Sequence, residues 1–175
     1  MIGYRHVDRR FPFAWETAEQ PAGRWHAAGP GPVQHLAETP DGAWAELLRH
    51  EEIRDPADLA GIARALWAVE LPDVPLPAPA LSADACTGGV TSWPTCRAEA
   101  ARLRAAGAPG LTAPSAALLP GTPSGFRVAE GLRPGPPRPE RVHVLFGPRP
   151  DLVAWCACAE GRPRADLLAR VRHLG

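Results

Sequence analysis

Residues 39–50, TPDGAWAELLRH, carry the signals that predict the first long helix of this chain. Thr39 is a residue type that caps helix N-termini, Pro40 suits the first helical position, and Asp41 complements the positive end of the helix dipole. The helix is expected to continue to about Glu52. These start signals make it the clearest local prediction, and the other elements are placed around it.

The side of this helix that holds Glu46 is the most informative for function. At spacings of three and four residues, one face holds Ala43, Glu46, Leu47 and His50. Leu47 is expected to face inward, so Glu46 lies beside the buried stripe instead of opposite it. A carboxylate in that position tends to be partnered or functional. The alternative is an ordinary ion pair of Glu46 with Arg49 or His50, which contributes about 0.3–0.5 kcal/mol on an exposed helix face.

The remaining segments mix strands and helices without a regular βαβ alternation. Strands are expected at 3–7, 34–37, 64–71, 142–146 and 152–159, with two short strands at 111–119 around Pro114-Ser115. Further helices are expected at 56–60, at 92–104 with an end near Gly107, and at 166–171. This pattern predicts an α+β fold, a compact mixed sheet with flanking helices, formed as a single domain over residues 1–175.

Composition excludes several classes of function. The 175 residues carry 19 basic and 19 acidic side chains, so the formal net charge is zero. Nucleic-acid binding normally requires a basic surface, and we expect no direct nucleic-acid contact. No apolar run approaches the ~18 residues of a membrane span, so we expect a cytoplasmic protein without membrane contact. The Pro-rich stretches 72–79 and 134–139 are interpreted as extended, polyproline-like connectors.

The cysteines do not suggest a metal site. Cys86, Cys96, Cys156 and Cys158 have spacings that match no zinc motif. Cys156 and Cys158 are expected on one face of a strand. We therefore expect buried free thiols, with a metal or redox role as the less favoured alternative.

Three short stretches, in this order along the chain, resemble the motifs of one protein family. They are Ala22-Gly23-Arg24-Trp25-His26, the helix stretch with Glu46 and His50 four residues apart, and Pro114-Ser115 followed by Ala116-Ala117-Leu118-Leu119. Together with Tyr4-Arg5 near the N-terminus, they resemble the RES domain, which is named for an Arg, a Glu and a Ser. Those residues fall here on Arg24, Glu46 and Ser115, and the resemblance covers roughly residues 3–120.

The resemblance implies an ADP-ribosyltransferase-like fold and an enzyme that consumes NAD⁺. Cleavage of the nicotinamide–ribose bond, by phosphorolysis or hydrolysis, would use phosphate or water as acceptor. The implied catalytic residues are Arg24, Glu46 and Ser115. The residues implied to bind NAD⁺ are Arg5, Arg24, Trp25, His35, Glu46 and Ser115. No cofactor beyond NAD⁺ as substrate, and no metal, is expected. The resemblance also implies a toxin of a toxin–antitoxin pair, with a helix-turn-helix antitoxin as partner.

The residue types suit this chemistry. Positive charge develops on the ribose as the bond to nicotinamide breaks, and a fixed carboxylate such as Glu46 stabilises it. A guanidinium matches pyrophosphate oxygens through paired hydrogen bonds that Lys cannot copy, which suits Arg24 and Arg5. The hydroxyl of Ser115 suits a hydrogen bond to the nicotinamide amide or to a ribose hydroxyl.

The chain also departs from the family pattern. His35 stands where the family usually has Tyr, His26 stands where Asn is usual, and residues 121–175 diverge. Two other functions therefore stay open. One is an ADP-ribosyltransferase that acts on a protein or a small molecule. The other is a non-enzymatic NAD-binding module that has lost its chemistry.

Overall fold

The computed structural model describes residues 1–17, 19–122 and 125–174 and confirms the α+β class. Its strands are β1 (Ile2–Asp8), β2 (Val33–Ala37), β3 (Arg64–Glu70), β4 (Gly110–Pro114), β5 (Phe126–Val128), β6 (Leu132–Pro134), β7 (Arg141–Phe146) and β8 (Ala154–Gly161). Its helices are α1 (Pro40–His50), α2 (Ala83–Thr87) and α3 (Trp93–Ala105), with 3-10 turns at Pro56–Gly61, Val90–Ser92 and Ala165–Arg170. No helix within the described ranges has both the length and the apolar character to cross a membrane.

Six strands form one sheet in the order β4-β7-β2-β1-β3-β8, and its neighbouring strands pair antiparallel. Strand β1 pairs with β3 along its whole length, and β2 does the same with β7. Strands β1 and β2 meet through one register pair, Tyr4 opposite Ala37. The sheet therefore has two well-paired halves, β4-β7-β2 and β1-β3-β8, joined at a narrow seam.

Helix α1 packs across this seam. The ring of Trp44 stacks on His6 of β1, with ring centroids 6.0 Å apart. The same core cluster contains residues from α1, β2 and β3, namely Ala43, Trp44, Ala45, Leu47, Leu48, Ala37 and Leu66. Burial of this apolar face against both halves of the sheet fixes α1 where the strand pairing is weakest.

The N-terminus of α1 has the predicted cap and a second one that the sequence did not reveal. The Oγ1 atom of Thr39 accepts a hydrogen bond from the Gly42 amide at 3.0 Å, and Pro40 opens the helix. The buried carboxylate of Glu140, just before β7, accepts hydrogen bonds from the Thr39 amide at 2.9 Å and from its hydroxyl at 3.0 Å. Helix α1 is therefore attached at its start to the β4-β7-β2 half of the sheet.

Two further core clusters cover the remaining parts of the sheet. One lies between α3 and strands β2, β4 and β7, and includes Val33, Cys96, Leu103, Leu111 and Val144. The other lies on the opposite face, around Leu36, Val69, Leu71 and Leu145, and is covered by Phe13, Leu76 and Leu152. Helices therefore cover one face of the sheet, whereas loop segments supply the apolar cover of the other.

One strand replaces the two that were predicted at 111–119. Strand β4 ends at Pro114, and the Oγ atom of Ser115 accepts a hydrogen bond from the Ala117 amide at 3.1 Å, which bends the chain. Beyond the bend, Leu118 forms an isolated bridge with Val171. The second strand was therefore a wrong prediction, because a serine that bonds its own local backbone competes with continued strand pairing.

The prediction for the cysteines was partly wrong. Cys86 and Cys96 are buried free thiols, as expected, whereas Cys156 is exposed and Cys158 is partly buried. Strand β8 is an edge strand, and the register shifts between Cys156, opposite Trp67, and Cys158, opposite Leu66. Because such a bulge reverses the side on which the next residues point, the two thiols lie on opposite faces of the sheet.

A hairpin at 126–134 was not predicted. Glu130 and Gly131 have positive φ values of 52° and 109°, which form the turn between β5 and β6. Its apolar side chains Phe126, Val128 and Leu132 are exposed. The Pro-rich stretch 72–79 is irregular, as expected, whereas the second Pro-rich stretch begins within β6, which ends at Pro134.

We predict that Gly110→Ala destabilises the protein and that Gly61→Ala does not. A Cβ atom at Gly110 would lie 2.3 Å from the main-chain oxygen of Val144, so β4 would have to move away from β7. Overpacking of this kind costs about 1–3 kcal/mol, and urea titration should show the free energy of unfolding falling by that amount. An added Cβ at Gly61 meets nothing within 4 Å, which makes it the matched control. Equal stability of the two variants would contradict the close approach.

Candidate active site around Glu46

Glu46 and Ser115 lie side by side, although 69 positions separate them in sequence. Glu46 projects from the middle of α1, and Ser115 follows the last residue of β4. The Ser115 hydroxyl donates to the Oε1 atom of Glu46 at 3.4 Å. Its main-chain amide donates to the carbonyl oxygen of Glu140 at 2.9 Å. Both the side chain and the backbone of Ser115 are thus held in place beside the carboxylate.

Arg24 reaches the same region from the loop between β1 and β2. Its Nη2 atom donates to the carbonyl oxygen of Gly88 at 2.6 Å, and Nη1 donates to the Oγ atom of Ser92 at 3.1 Å. Its guanidinium also lies over the ring of Trp93, 5.9 Å from the centroid. Arg97 binds the carbonyl oxygen of Gly23 at 2.7 Å, which ties the loop to α3. The Gly/Pro-rich loop therefore holds Arg24 in a defined position.

Arg49 adds a second cation that was not predicted as a site residue. It lies one turn after Glu46 on α1 and is only 4% exposed. Its Nη2 atom donates to the Gly88 carbonyl at 3.2 Å, the same oxygen that accepts from Arg24. The sequence had suggested Arg49 only as a surface partner of Glu46. Its burial depends on carbonyl groups from distant segments, which no local spacing reveals.

The surface ion pair considered as the alternative role for Glu46 is not formed. Among the described residues, no ion pair within 4.0 Å includes Glu46. Burial raises the pKa of Glu46, whereas the charges of Arg49 and Arg24 and the hydrogen bond from Ser115 act in the opposite direction. Glu46 is therefore a partly desolvated carboxylate stabilised by two guanidinium groups, which is typical of a functional site.

His35 lies on β2 beside His26, with ring centroids 5.7 Å apart. Burial lowers the pKa of His35 to about 3 and also lowers that of His26. The Nε2 atom of His26 lies 2.6 Å from the carbonyl oxygen of Pro21, which fixes its ring. Both rings are therefore neutral near pH 7, and His35 is suited to stacking rather than to donating a proton.

Trp25 does not line the site. Its side chain is 2% exposed and packs in the core cluster with Val33 and Val144. Because Trp25 is buried in the core, it anchors the loop that carries Arg24. With so little of its side chain exposed, Trp25 is not accessible for the predicted contact with NAD⁺ in this structure.

Arg5 lies on the other face of the sheet from Glu46. Side chains alternate along β1, and its neighbour His6 points toward Trp44 of α1. Arg5 donates to Gln34 at 2.6 Å and forms a buried ion pair with Glu16. The structure therefore does not bring Arg5 together with Arg24, Glu46 and Ser115, and its cation is already paired.

The candidate site is defined by its charged and polar side chains. Two concavities, one beside Met1, Leu71 and Val153 and the other beside Ile53 and Ile62, lie away from the Glu46–Ser115 contact. In the part of the chain that the structure describes, no group of three or more His, Cys, Asp and Glu side chains is placed to hold a metal ion. The functional groups of the site are therefore a carboxylate, a hydroxyl and two guanidinium groups.

Comparison with protein-family models matches the RES domain over residues 3–129. This match covers more than half of the 175-residue chain and contains Arg24, Glu46 and Ser115. The chain therefore belongs to the RES domain family. RES domains are associated with NAD⁺-using enzymes and with toxin–antitoxin systems, which supports a general enzymatic, NAD⁺-related role. A search of curated proteins finds no match to this chain.

We predict that Glu46→Gln stabilises the protein increasingly as the pH rises. The pKa of Glu46 is higher in the folded than in the unfolded protein, so ionisation above the unfolded value of 4.5 opposes folding. The free energy of unfolding of Glu46→Gln should exceed that of the wild type at pH 8, and the difference should shrink toward pH 4. Chemical denaturation across this pH range measures it.

Glu99→Gln is the matched control with the opposite sign. Hydrogen bonds from Arg102 and the Ala80 amide lower the pKa of Glu99 to about 2, so its ionised form stabilises the fold above the unfolded value of 4.5. Glu99→Gln should therefore be less stable than the wild type at pH 8, with a deficit that shrinks as the pH falls toward 2. If the free energies of unfolding of Glu46→Gln and Glu99→Gln change with pH in the same direction, relative to the wild type, the environments described for the two carboxylates are contradicted.

Proposed function

We propose that this protein is an enzyme that cleaves the nicotinamide–ribose bond of NAD⁺, by phosphorolysis or by hydrolysis. The observation that carries the proposal is the 3.4 Å contact of Glu46 with Ser115, beside the two guanidinium groups that share the Gly88 carbonyl. Membership of the RES domain family supports NAD⁺ as the substrate. The proposal extends to a toxin that a helix-turn-helix antitoxin holds inactive.

Glu46 is proposed to stabilise the positive charge that develops on the ribose. In the transition state of nicotinamide departure, the C1′ atom and the ring oxygen of the ribose share this charge. A carboxylate that is already partly desolvated interacts with it more strongly than a hydrated one does. The charges of Arg24 and Arg49 favour the ionised form of Glu46, which is the form this role requires.

Arg24 is proposed to bind the pyrophosphate. A guanidinium has five N–H groups, and the hydrogen bonds to Gly88 and Ser92 use one on each Nη atom. Further N–H groups of Arg24 are therefore available for an anionic oxygen. Its partial exposure gives a charged ligand a path to it. The fixed position of Arg24 lowers the entropy lost when the ligand binds.

Ser115 is proposed to orient a ribose hydroxyl or the nicotinamide amide. Its Oγ atom accepts from the Ala117 amide and donates to Glu46, so the hydroxyl has a fixed direction. His35 is proposed to contribute a neutral ring for stacking. Arg5 and Trp25 are not part of this proposal, because the first is paired with Glu16 and the second is buried in the core.

We predict that Glu46→Gln lowers the rate of nicotinamide release from NAD⁺ by about 10²–10⁴-fold while the protein stays folded. The change removes the charge that stabilises the transition state and keeps the size of the side chain. Chromatography of nicotinamide, with and without phosphate, measures the rate and separates phosphorolysis from hydrolysis. The matched control is Glu51→Gln, an exposed carboxylate at the end of the same helix, which should behave as the wild type does.

Three results would contradict the proposal. Unchanged turnover in Glu46→Gln would show that the Glu46 carboxylate has no catalytic role. Nicotinamide release that requires a protein or a small-molecule acceptor, with ADP-ribose found on that acceptor, would indicate an ADP-ribosyltransferase. Calorimetric binding of NAD⁺ by the wild type without nicotinamide release would indicate a binding module.

We predict that Arg24→Lys raises the KM for NAD⁺ by roughly 10–100-fold. Lys keeps the charge but loses the paired hydrogen bonds, and a hydrogen bond to a charged group contributes about 1.5–3 kcal/mol. Steady-state kinetics of nicotinamide release measures the change. Arg102→Lys is the control, because Arg102 lies on the outer side of α3 and pairs with Glu99. Equal KM values for the two variants would exclude Arg24 from substrate binding.

A further inference from the structure

Arg49 is a buried cation that is surrounded by main-chain oxygen atoms. Its guanidinium donates to the carbonyl groups of Gly88 at 3.2 Å, Ala116 at 2.9 Å, His173 at 3.4 Å and Arg172. With 4% exposure, this charge has little contact with water, and the carbonyl dipoles replace its hydration. A cation in such a setting fixes the position of every segment that supplies an oxygen.

Three of the segments that meet at Arg49 carry or contact a group of the candidate site. Arg49 itself lies on the same helix as Glu46, one turn further along. Ala116 directly follows Ser115, and the Gly88 carbonyl also accepts the hydrogen bond from Arg24. One guanidinium therefore connects the segments that carry the carboxylate, the hydroxyl and the other cation.

The fourth segment is the C-terminal one, residues 170–174. The Arg172 amide donates to the Ala117 carbonyl at 2.7 Å, and the Leu119 amide donates to the Arg170 carbonyl at 2.9 Å. The Leu174 amide donates to Glu52 at 2.7 Å, just beyond the end of α1. This segment therefore joins the chain after Ser115 to the end of the helix that carries Glu46. It lies outside residues 3–129, which match the RES domain.

We propose that Arg49 is a positioning residue for the candidate site, and that it acts by binding the C-terminal segment 170–174 and the turn after Ser115 to the helix of Glu46. The inference rests on the proposed cleavage of NAD⁺ for its effect on rate. Its structural part does not depend on that function. Among the positive charges that lower the pKa of Glu46, that of Arg49 has the largest effect, followed by those of Arg24 and His50.

A guanidinium is required for this role because its planar N–H groups reach several oxygen atoms at once. A Lys at the same place would keep the charge and lose most of these hydrogen bonds, whereas a Met would lose both. The pair Arg49→Lys and Arg49→Met therefore separates geometry from charge. Arg102→Met on α3 is the control for the loss of an arginine elsewhere.

The first measurement is hydrogen exchange, which needs no enzymatic activity. In Arg49→Lys and Arg49→Met, the amides of Arg172 and Leu119 should exchange faster than in the wild type, whereas those of β3 should not change. Arg102→Met should leave all of them unchanged. If the amides of Arg172 and Leu119 exchange in Arg49→Met as slowly as in the wild type, Arg49 does not hold the C-terminal segment in place, and the proposal is overturned.

The second measurement is nicotinamide release. We expect kcat to fall about 10²-fold in Arg49→Lys, since a small misplacement of catalytic groups has an effect of that size. The acid limb of its profile of kcat against pH, which reflects the ionisation of Glu46, should not shift. In Arg49→Met this limb should move to higher pH, because Glu46 loses a nearby positive charge. A wild-type kcat in Arg49→Lys would overturn the positioning role.

A third variant keeps the test valid if Arg49→Met does not fold. A chain that ends at Val171 lacks two of the carbonyl partners, those of Arg172 and His173, and leaves Arg49 itself intact. It should show the same loss of kcat as Arg49→Lys, and full activity would overturn the role of the C-terminal segment. If the wild type releases no nicotinamide, the proposed function is wrong, and hydrogen exchange still decides whether Arg49 ties the segments together.

Discussion

Helix α1 lies where the two halves of the sheet have the least hydrogen bonding between them. Strands β1 and β2 share one register pair, so side-chain packing has to supply what the backbone ladder does not. Leu47 and Leu48 are both buried in this contact, and each contributes about 1.5–3 kcal/mol. The Glu140 carboxylate at the start of α1 fixes the helix to the strand next to β2. With α1 in this place, Glu46 comes to lie beside the end of β4.

The polar cluster around Glu46 is a region in which stability and function make different demands. Arg24 and Arg49 both donate to the Gly88 carbonyl, although two like charges repel each other. Glu46 and the carbonyl dipoles offset this repulsion, and burial opposes the ionised form of Glu46 in turn. Apolar residues would fill the same space without these costs. Departures from the simplest stable packing are expected where a protein binds or transforms a ligand.

Local signals in the sequence were sufficient for much of the fold. Thr39 and Pro40 predicted the start of α1, and alternating side chains predicted β3, because caps and strand periodicity act over a few residues. A strand was also predicted at 142–146, where β7 lies. The roles of Arg49 and Glu140 could not be predicted in this way. Their partners lie up to 124 and 101 positions away, and only the folded chain brings them together. The faces of Cys156 and Cys158 depended on a bulge that no local pattern indicates.

The position of β7 has a consequence for how the chain is made. Strand β7 lies between β4 and β2, and it begins at Arg141, after the last residue that matches the RES domain. During synthesis, β2 and β4 leave the ribosome long before their common partner does. Their edges stay unpaired over that interval, and the Glu140 cap of α1 is absent as well. Such long-range pairing slows folding and exposes strand edges to other chains. The central part of this sheet therefore completes its pairing only after β7, which ends at Phe146, has emerged.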